Sequence, residues 1–317
     1  MNNTEKIRTN SQFGAAGYCL LVFLFFLYIN SFGLYGIKFA AGAIISWLTG
    51  GIIWVLRVLF QSGDDPEGVD KPFGWMLFLL FPLFLPLALP LWIIPCILVV
   101  CYSITVAAFG GHGKHIFNPV IVAVVFMMYG YGDMGLIDAS RPFPSSREGY
   151  RVWTSGIPPR ADIRDVFSSV PAKSAFGFTL KGLIPSIPGS CFGSVILLAS
   201  LVFSLVFRRC ICWWLVSVAS ICLFGWLLPQ PAEFNIPFTN ILFMGIMPSL
   251  LLCGIADFST LPESALGQGI NAVIFAGFAV FMLYNSSNIL MPVYGFLLAQ
   301  VVSPLVIDMV GAKDEQK

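Results

Sequence analysis

Charged side chains are scarce in this sequence. They make up 10% of its 317 residues and hydrophobic residues make up 57%, whereas about a quarter of the residues in a soluble domain are charged. A water-soluble fold cannot cover so much apolar surface with so few charges. The composition therefore excludes a water-soluble catalytic domain of any size and predicts a polytopic integral membrane protein.

Several chemical signatures are also missing. The net charge is +1, which encodes no general attraction to nucleic acid, and we expect no nucleic-acid partner. The eight cysteines show no CxxC spacing, so we interpret them as packing residues rather than zinc or iron-sulfur ligands. Hydrolase and ATP-driven pump functions lack support, because no nucleophile elbow, phosphate loop or catalytic triad pattern occurs.

Long apolar segments are what the chain has in abundance. Several approach the length of about 20 residues that a helix needs to cross the hydrocarbon core of a bilayer. They do not alternate apolar and polar residues as the strands of a membrane barrel do. The sequence predicts an all-α transmembrane helical bundle of about ten segments, at about 14–36, 39–61, 72–88, 90–109, 117–131, 190–207, 211–228, 240–256, 268–285 and 289–310.

Some of these segments are interrupted or short. Pro82, Pro86 and Pro90 fall in or just after the third segment, and the fifth and eighth segments are shorter than a full span. A break of this kind is tolerable only where protein or a water-filled cavity satisfies the freed backbone groups. We therefore predict that the bundle includes broken or half-helices.

The segments divide the chain into three parts. Residues 1–131 and 189–317 each hold five segments, and residues 132–188 form one long connection. The two equal halves suggest a duplicated unit. Basic residues cluster in the short loops on one side, which predicts that both termini are cytoplasmic and that the long connection is an extracytoplasmic loop. Those residues are Lys6, Arg8, Arg57, Lys71, Lys114, Arg208, Arg209, Lys313 and Lys317, against Lys38 alone in the short loops opposite.

The most distinctive string runs from residue 109 to residue 119. Gly110, Gly111 and Gly113 let the backbone pass close to a partner, and Asn118 then opens the next apolar segment. Exposed amides at such a helix start can hold an anion, a flavin phosphate or a flavin ring oxygen. The alternative interpretation is a tight packing turn between two membrane helices.

A second candidate is Asp257, which ends a short apolar segment beside Ser259 and Thr260. A carboxylate in this position can cap a helix, receive a cation or relay a proton. His112 and His115, the only histidines, stand three residues apart in the glycine-rich string. A metal site needs more ligands than their neighbourhood supplies, so we predict none.

These landmarks, in this order, resemble a known family. The string from Phe109 to Pro119 is similar to its FGGxGxNxFNP signature, with His115 where asparagine is usual. Ala256–Thr260 is similar to the family's TDPVT element and Ser303–Asp308 to its closing VPLID. Asp70–Pro72 and the proline-broken Leu85–Trp92 look like its third helix. The family joins the B subunit of the sodium-translocating NADH:quinone reductase (Nqr) to the D subunit of the Rnf electron-transport complex, and we abbreviate it NqrB/RnfD.

The resemblance implies a membrane subunit of a redox-driven ion pump that carries electrons through membrane-embedded flavin. It implies FMN or riboflavin as cofactor, other subunits of an Nqr- or Rnf-like complex as partners, quinone, and Na+ or H+ as the transported ion. It also implies a location in the inner membrane of a bacterium. In such proteins one FMN is esterified to a threonine in the long outward loop. The candidate alignments here, Ser155–Pro159 and Asp165–Pro171, offer no threonine at that position, so we predict that flavin is held without the covalent link.

The resemblance gives the candidate residues their roles. Gly110, Gly111, Gly113 and Asn118 would line the flavin or quinone neighbourhood, and Asp257 would be the catalytic candidate, as an ion- or proton-responsive carboxylate. Two alternatives stay open. One is a solute transporter or channel, since such proteins also build sites from broken helices. The other is a structural paralogue that keeps the scaffold without redox chemistry.

Overall fold

The computed structural model describes residues 3–60, 77–109, 115–132, 150, 153, 177, 180–181, 186–229, 241–243, 246–286 and 288–314. Within these residues we number ten α-helices. They are α1 (Asn3–Tyr35), α2 (Ile37–Phe60), α3 (Leu77–Leu80), α4 (Ile93–Tyr102), α5 (Pro119–Tyr131), α6 (Gly193–Val206), α7 (Ile211–Leu227), α8 (Ile246–Ala256), α9 (Ala265–Tyr284) and α10 (Pro292–Asp314). The all-α fold predicted from the sequence is confirmed.

Five of these helices are long and apolar enough to cross a membrane: α1, α2, α7, α9 and α10. At about 1.5 Å of rise per residue, a 20-residue helix matches the thickness of the hydrocarbon core. Their outward surfaces carry large exposed apolar side chains such as Val22, Phe25 and Trp226. The chain is therefore a multi-pass membrane protein.

The remaining helices are shorter. One of them continues as a 3₁₀ helix, which is wound more tightly, and another ends in a π-helical turn, which is wider. The four-residue α3 runs on as a 3₁₀ helix over Phe81–Phe84, and α4 ends in a π-helical turn over Ser103–Ala107. Further 3₁₀ turns cover Pro188–Ser190, Arg208–Cys210 and Phe258–Thr260. The third predicted segment, 72–88, is thus a broken helix among the described residues, as its prolines indicated.

Side chains from neighbouring helices satisfy the backbone where α3 breaks. The hydroxyl of Tyr28 donates to the carbonyl oxygen of Leu79 at 2.7 Å, and Ser46 Oγ donates to the carbonyl oxygen of Phe78 at 2.9 Å. In a hydrocarbon environment an unpaired carbonyl would be costly. These two bonds explain how a helix of one turn persists among membrane helices.

The 3₁₀ turn at Pro188–Ser190 packs directly on this break. A Cβ atom on Gly189 would lie 2.0 Å from the carbonyl oxygen of Pro82. Only glycine allows the two backbones to approach so closely. The start of the second half of the chain is therefore anchored on the broken helix of the first half.

Most of the long connection, residues 132–188, lies outside the described residues. One of its described members, Tyr150, contacts the end of α1. Its hydroxyl donates to the carbonyl oxygen of Ile29 at 3.2 Å, and its ring meets that of Phe32 edge-on at 4.8 Å. Part of the connection therefore lies against the membrane bundle.

The packing of the helices repeats between the two halves. In the first half α2 packs on α4 and α4 on α5, and in the second half α7 packs on α9 and α9 on α10. Across the halves, α1 contacts α6, α3 contacts α8, and α5 contacts α10. Each of these cross-half pairs joins a helix to the one five places later. This arrangement is the packing that a duplicated unit of five segments would give.

Candidate functional site

A cluster of buried polar side chains lies where several helix ends meet. It is built from the residues preceding α5, the C-terminal end of α8 with the following 3₁₀ turn, and the middle of α10. All of its members but one are at most 5% exposed; Ser259 is half-buried. They are His115, Asn118, Asp257, Ser259, Thr260, Gln300 and Ser303.

Two side chains among the described residues hold the carboxylate of Asp257. His115 Nε2 lies 3.1 Å from each of its two oxygens, Oδ1 and Oδ2. Ser259 Oγ donates to Oδ1 at 2.7 Å. Because an ionised carboxylate buried away from water is costly unless it is paired and hydrogen-bonded, these contacts are what allow Asp257 to lie inside the bundle.

The donors and acceptors fix the position of one hydrogen on His115. Ser259 has a single hydroxyl hydrogen, and it points at Asp257. The carboxylate is an acceptor only, and His115 Nε2 lies 3.3 Å from Ser259 Oγ and 3.1 Å from the carboxylate oxygens. With Asp257 ionised, these contacts require that His115 Nε2 carries a hydrogen and donates it to the carboxylate.

Asn118 caps the start of α5. Its Oδ1 accepts from the backbone nitrogens of Val120 at 2.9 Å and Ile121 at 3.3 Å, and Pro119 occupies the first helical position. This is the usual chemistry of an N-cap asparagine. Asn118 is fully buried, yet its Nδ2 has no hydrogen-bond partner among the residues that the structure describes. A buried amide donor left unpaired requires an explanation.

Gln300 links the two sides of the cluster. Its Oε1 accepts from the backbone nitrogen of Asn118 at 3.2 Å, and its Nε2 donates to Thr260 Oγ1 at 3.2 Å. Thr260 Oγ1 in turn donates to the backbone oxygen of Asp257 at 3.0 Å. Gln300 also lies one turn before Pro304, which removes a helical hydrogen bond from α10 at this level. The site thus lies at the level where α10, although continuous, lacks one helical hydrogen bond.

The structure brings together two of the five predicted site residues. Asn118 and Asp257 are joined through Gln300 and Thr260. The other three, Gly110, Gly111 and Gly113, lie outside the described residues, and their role stays a prediction.

Two residues of the cluster were missed in the sequence. His115 was considered only as one of two potential metal ligands, although its place in the FGGxGxNxFNP-like string marked it as unusual. Gln300 had a usable signal too, since a polar residue inside a membrane helix is a candidate functional residue by default.

A second polar cluster in the same half is fully hydrogen-bonded where it is described. Trp213 Nε1 donates to Asn271 Oδ1 at 2.9 Å, and Asn271 Nδ2 donates to the carbonyl oxygen of Ala299 at 2.9 Å. Gln268 Oε1 accepts from the backbone nitrogen of Trp213 at 3.3 Å. These bonds connect α7, α9 and α10, so we interpret this cluster as structural. The unpaired amide of Asn118 distinguishes the first cluster.

Fold and site together define a multi-pass α-helical membrane protein with a buried polar centre where two helix ends meet the middle of α10. A sequence profile of the NQR2, RnfD, RnfE family matches residues 6–314, and the chain belongs to that family. The resemblance seen in its motifs is confirmed. The chain is accordingly a membrane subunit of a multi-subunit redox complex of the Nqr or Rnf type. None of the curated proteins matches it at a significant level.

Proposed function

We propose that this subunit holds a flavin, FMN or riboflavin, noncovalently at the turn preceding α5, and that it works in electron transfer coupled to ion translocation. The observation that carries the proposal is the amide of Asn118. It is fully buried at the start of a helix, and its Nδ2 lacks an acceptor in the described part of the chain. A flavin ring offers carbonyl oxygens and ring nitrogens as acceptors.

Two features near Asn118 support a flavin as the ligand. The start of α5 presents the positive end of the helix dipole, which favours electron-rich groups. Glycines at 110, 111 and 113 supply a backbone without Cβ atoms in the adjoining string. The flavin, when bound, supplies one- and two-electron transfer chemistry. The chain would contribute the donor on Asn118 and the fixed cap geometry that orients it.

Asp257 is the residue that we expect to respond to a change of charge at this site. It is 4% exposed, and in a protein interior of low dielectric constant a nearby charge acts over a longer range than in water. The bonds through Gln300 and Thr260 fix the position of Asp257 relative to Asn118. A change of charge beside Asn118 would therefore alter how strongly Asp257 and His115 hold their charges and the proton between them.

The absorbance spectrum of the purified full-length chain tests flavin binding. We expect a yellow protein whose flavin is released on denaturation. The Asn118→Ser variant keeps an oxygen that can cap α5 and loses the amide donor, so its flavin affinity should fall about tenfold, the effect of about 1.4 kcal/mol.

Asn288 provides the matched control for this variant. Its Oδ1 accepts from the backbone nitrogen of Leu290 just before α10, so Asn288→Ser changes a comparable turn in the other half. We expect it to retain flavin like the unmodified chain. A colourless unmodified protein that copurifies with NADH-oxidising subunits would contradict the proposal and favour a structural role.

Noncovalent attachment is a separate part of the proposal. The two candidate attachment stretches, Ser155–Pro159 and Asp165–Pro171, lie outside the described residues. The mass of the intact chain decides the point. We expect no increment after denaturing extraction, whereas an increment equal to FMN would show a covalent link at another hydroxyl.

The remaining parts of the proposal concern partners and orientation. We propose that the subunit acts in the inner membrane of a bacterium, with both termini cytoplasmic, beside subunits that oxidise NADH. Quinone is the electron acceptor that we would test first, and Na+ or H+ is the ion coupled to the reaction. The basic loops of the sequence support the orientation.

A further inference from the structure

His115 Nε2 has three oxygen atoms around it. Both oxygens of the Asp257 carboxylate lie at 3.1 Å and the hydroxyl oxygen of Ser259 at 3.3 Å. His115 is 4% exposed and Asp257 is 4% exposed, so bulk water does not separate them. A carboxylate with a neighbouring hydroxyl is the type of oxygen set that hard cations bind. In this chain the ring nitrogen of His115 occupies that position.

We propose that His115 is the resident cation of Asp257, so that this site binds a proton on the imidazole ring and excludes a sodium ion from the carboxylate. The hydrogen on Nε2 follows from the donors and acceptors of the cluster. Burial of the ring disfavours its charged, doubly protonated form, whereas the adjacent carboxylate favours it. On this proposal the carboxylate, with Nε2 at 3.1 Å from both of its oxygens, outweighs burial. The site then changes its charge by releasing or taking up the second ring proton.

Other titratable groups face this pair. Cys253 on α8 and Cys210 before α7 interact electrostatically with Asp257. Arg209, next to Cys210, forms an ion pair with Glu263. From α5 and α10 the cluster receives neutral amide and hydroxyl groups, those of Asn118, Gln300 and Ser303. His112 and Lys114 lie outside the described residues.

The inference extends the proposed function by naming the ion to which Asp257 responds. It rests on the proposed function only for the use made of the proton, because the chemistry of the His115–Asp257 pair does not require flavin. Movement of the ring proton would couple the charge of the redox site to proton uptake. Sodium would have no place at this carboxylate while His115 is present.

Nitrogen-15 NMR of the full-length chain in lipid nanodiscs tests the protonation directly. With ring-labelled histidine the spectrum holds two residues, His112 and His115, and the His115→Gln variant assigns them. We expect His115 to show two protonated ring nitrogens at neutral pH and to lose one of them in Asp257→Asn. A neutral His115 ring protonated on Nδ1 alone would overturn the proposal.

Thermal unfolding of the same samples tests the exclusion of sodium. At constant ionic strength, replacing K+ by Na+ should leave the Tm of the unmodified chain unchanged. His115→Asn frees the carboxylate, and we expect a saturable rise in Tm with Na+ that disappears in the His115→Asn/Asp257→Asn double variant. His112→Asn is the control and should behave like the unmodified chain.

Two outcomes of this second experiment would count against the inference. One is a saturable Na+-dependent rise in Tm of the unmodified chain that is lost in Asp257→Asn. The other is a folded His115→Asn variant that ignores sodium. Flavin absorbance is read in every sample, so a colourless protein with a doubly protonated His115 would overturn the proposed function and leave this inference standing.

Discussion

Gln300 holds both sides of the candidate site with one side chain. Its amide oxygen receives the backbone N–H of Asn118, and its amide nitrogen donates to Thr260. Asn118 cannot use its own backbone nitrogen in α5, because the first N–H groups of a helix have no partner within it. The backbone N–H of Asn118, at the start of α5, thus needs an acceptor, and Gln300 in the middle of α10 supplies it.

Replacing Gln300 by methionine keeps its length and removes both hydrogen bonds. The backbone N–H of Asn118 would then be buried without an acceptor, so we expect a loss of about 1–3 kcal/mol in the free energy of unfolding. Val301→Met, on the exposed face of the same turn, is the control. Equal Tm values for the two variants in detergent would show that Gln300 does not hold the site together.

The sequence predicted part of this site at the level of single residues. Asn118 and Asp257 could be predicted because Asn118 lies near the start of one apolar segment and Asp257 follows the end of another. A polar residue at such a position usually caps a helix or serves a site. The hydrogen bonds that link them through Gln300 could not be predicted, since Gln300 lies 182 residues from Asn118 along the chain. The partner of His115 was hidden for the same reason, with 142 residues between it and Asp257.

At the scale of elements, the broken helix α3 depends on donors from its neighbours. Tyr28 on α1 and Ser46 on α2 donate to successive carbonyl oxygens, those of Leu79 and Phe78. Prolines in the sequence predicted the break. They did not predict its partners, because Tyr28 and Ser46 lie inside other apolar segments and nothing in the local sequence marks which backbone they contact.

Tyr28→Phe removes only the hydroxyl that pairs with Leu79. We expect it to lower the free energy of unfolding by about 0.6–2 kcal/mol, the range found for hydrogen bonds between membrane helices. Tyr18→Phe, a change at an exposed position of the same helix, should have no effect. Unfolding by denaturant in mixed micelles measures both, and a neutral Tyr28→Phe would mean that the α3 carbonyl finds another donor.

Gly189→Ala should be far more damaging than any of these changes. The new Cβ would lie 2.0 Å from the carbonyl oxygen of Pro82, a backbone atom that cannot rotate away. We expect the variant to be lost from the membrane fraction or to unfold at a much lower temperature. Gly269→Ala in α9, where a Cβ has no neighbour within 4 Å, should express normally because alanine favours a helix more than glycine does.

At the scale of the whole molecule, the two halves match in architecture but not in chemistry. In each half a short helix, α3 or α8, passes into a 3₁₀ turn, and a leucine-proline pair then follows, Leu85-Pro86 or Leu261-Pro262. Counting back four residues from each leucine gives Phe81 in the first half and Asp257 in the second. Phe81 is fully buried among apolar residues. At this position the first half therefore has an apolar side chain where the second half has a carboxylate. A shared leucine-proline pair is too weak a repeat to recognise in the sequence, and the contacts between helices are what agree with a duplicated unit.

An odd number of segments in each half has a consequence for orientation. If all five segments of a half cross the membrane, the second half is inverted relative to the first, and both termini lie on one side. The distribution of basic residues predicts that this side is the cytoplasm. We expect green fluorescent protein to fluoresce when fused to either terminus. We expect alkaline phosphatase to be active only when inserted in the connection between α5 and α6, residues 132–188. Active phosphatase at the C-terminus would show that one short helix, with α3 and α8 as the first candidates, enters and leaves the membrane on the same side.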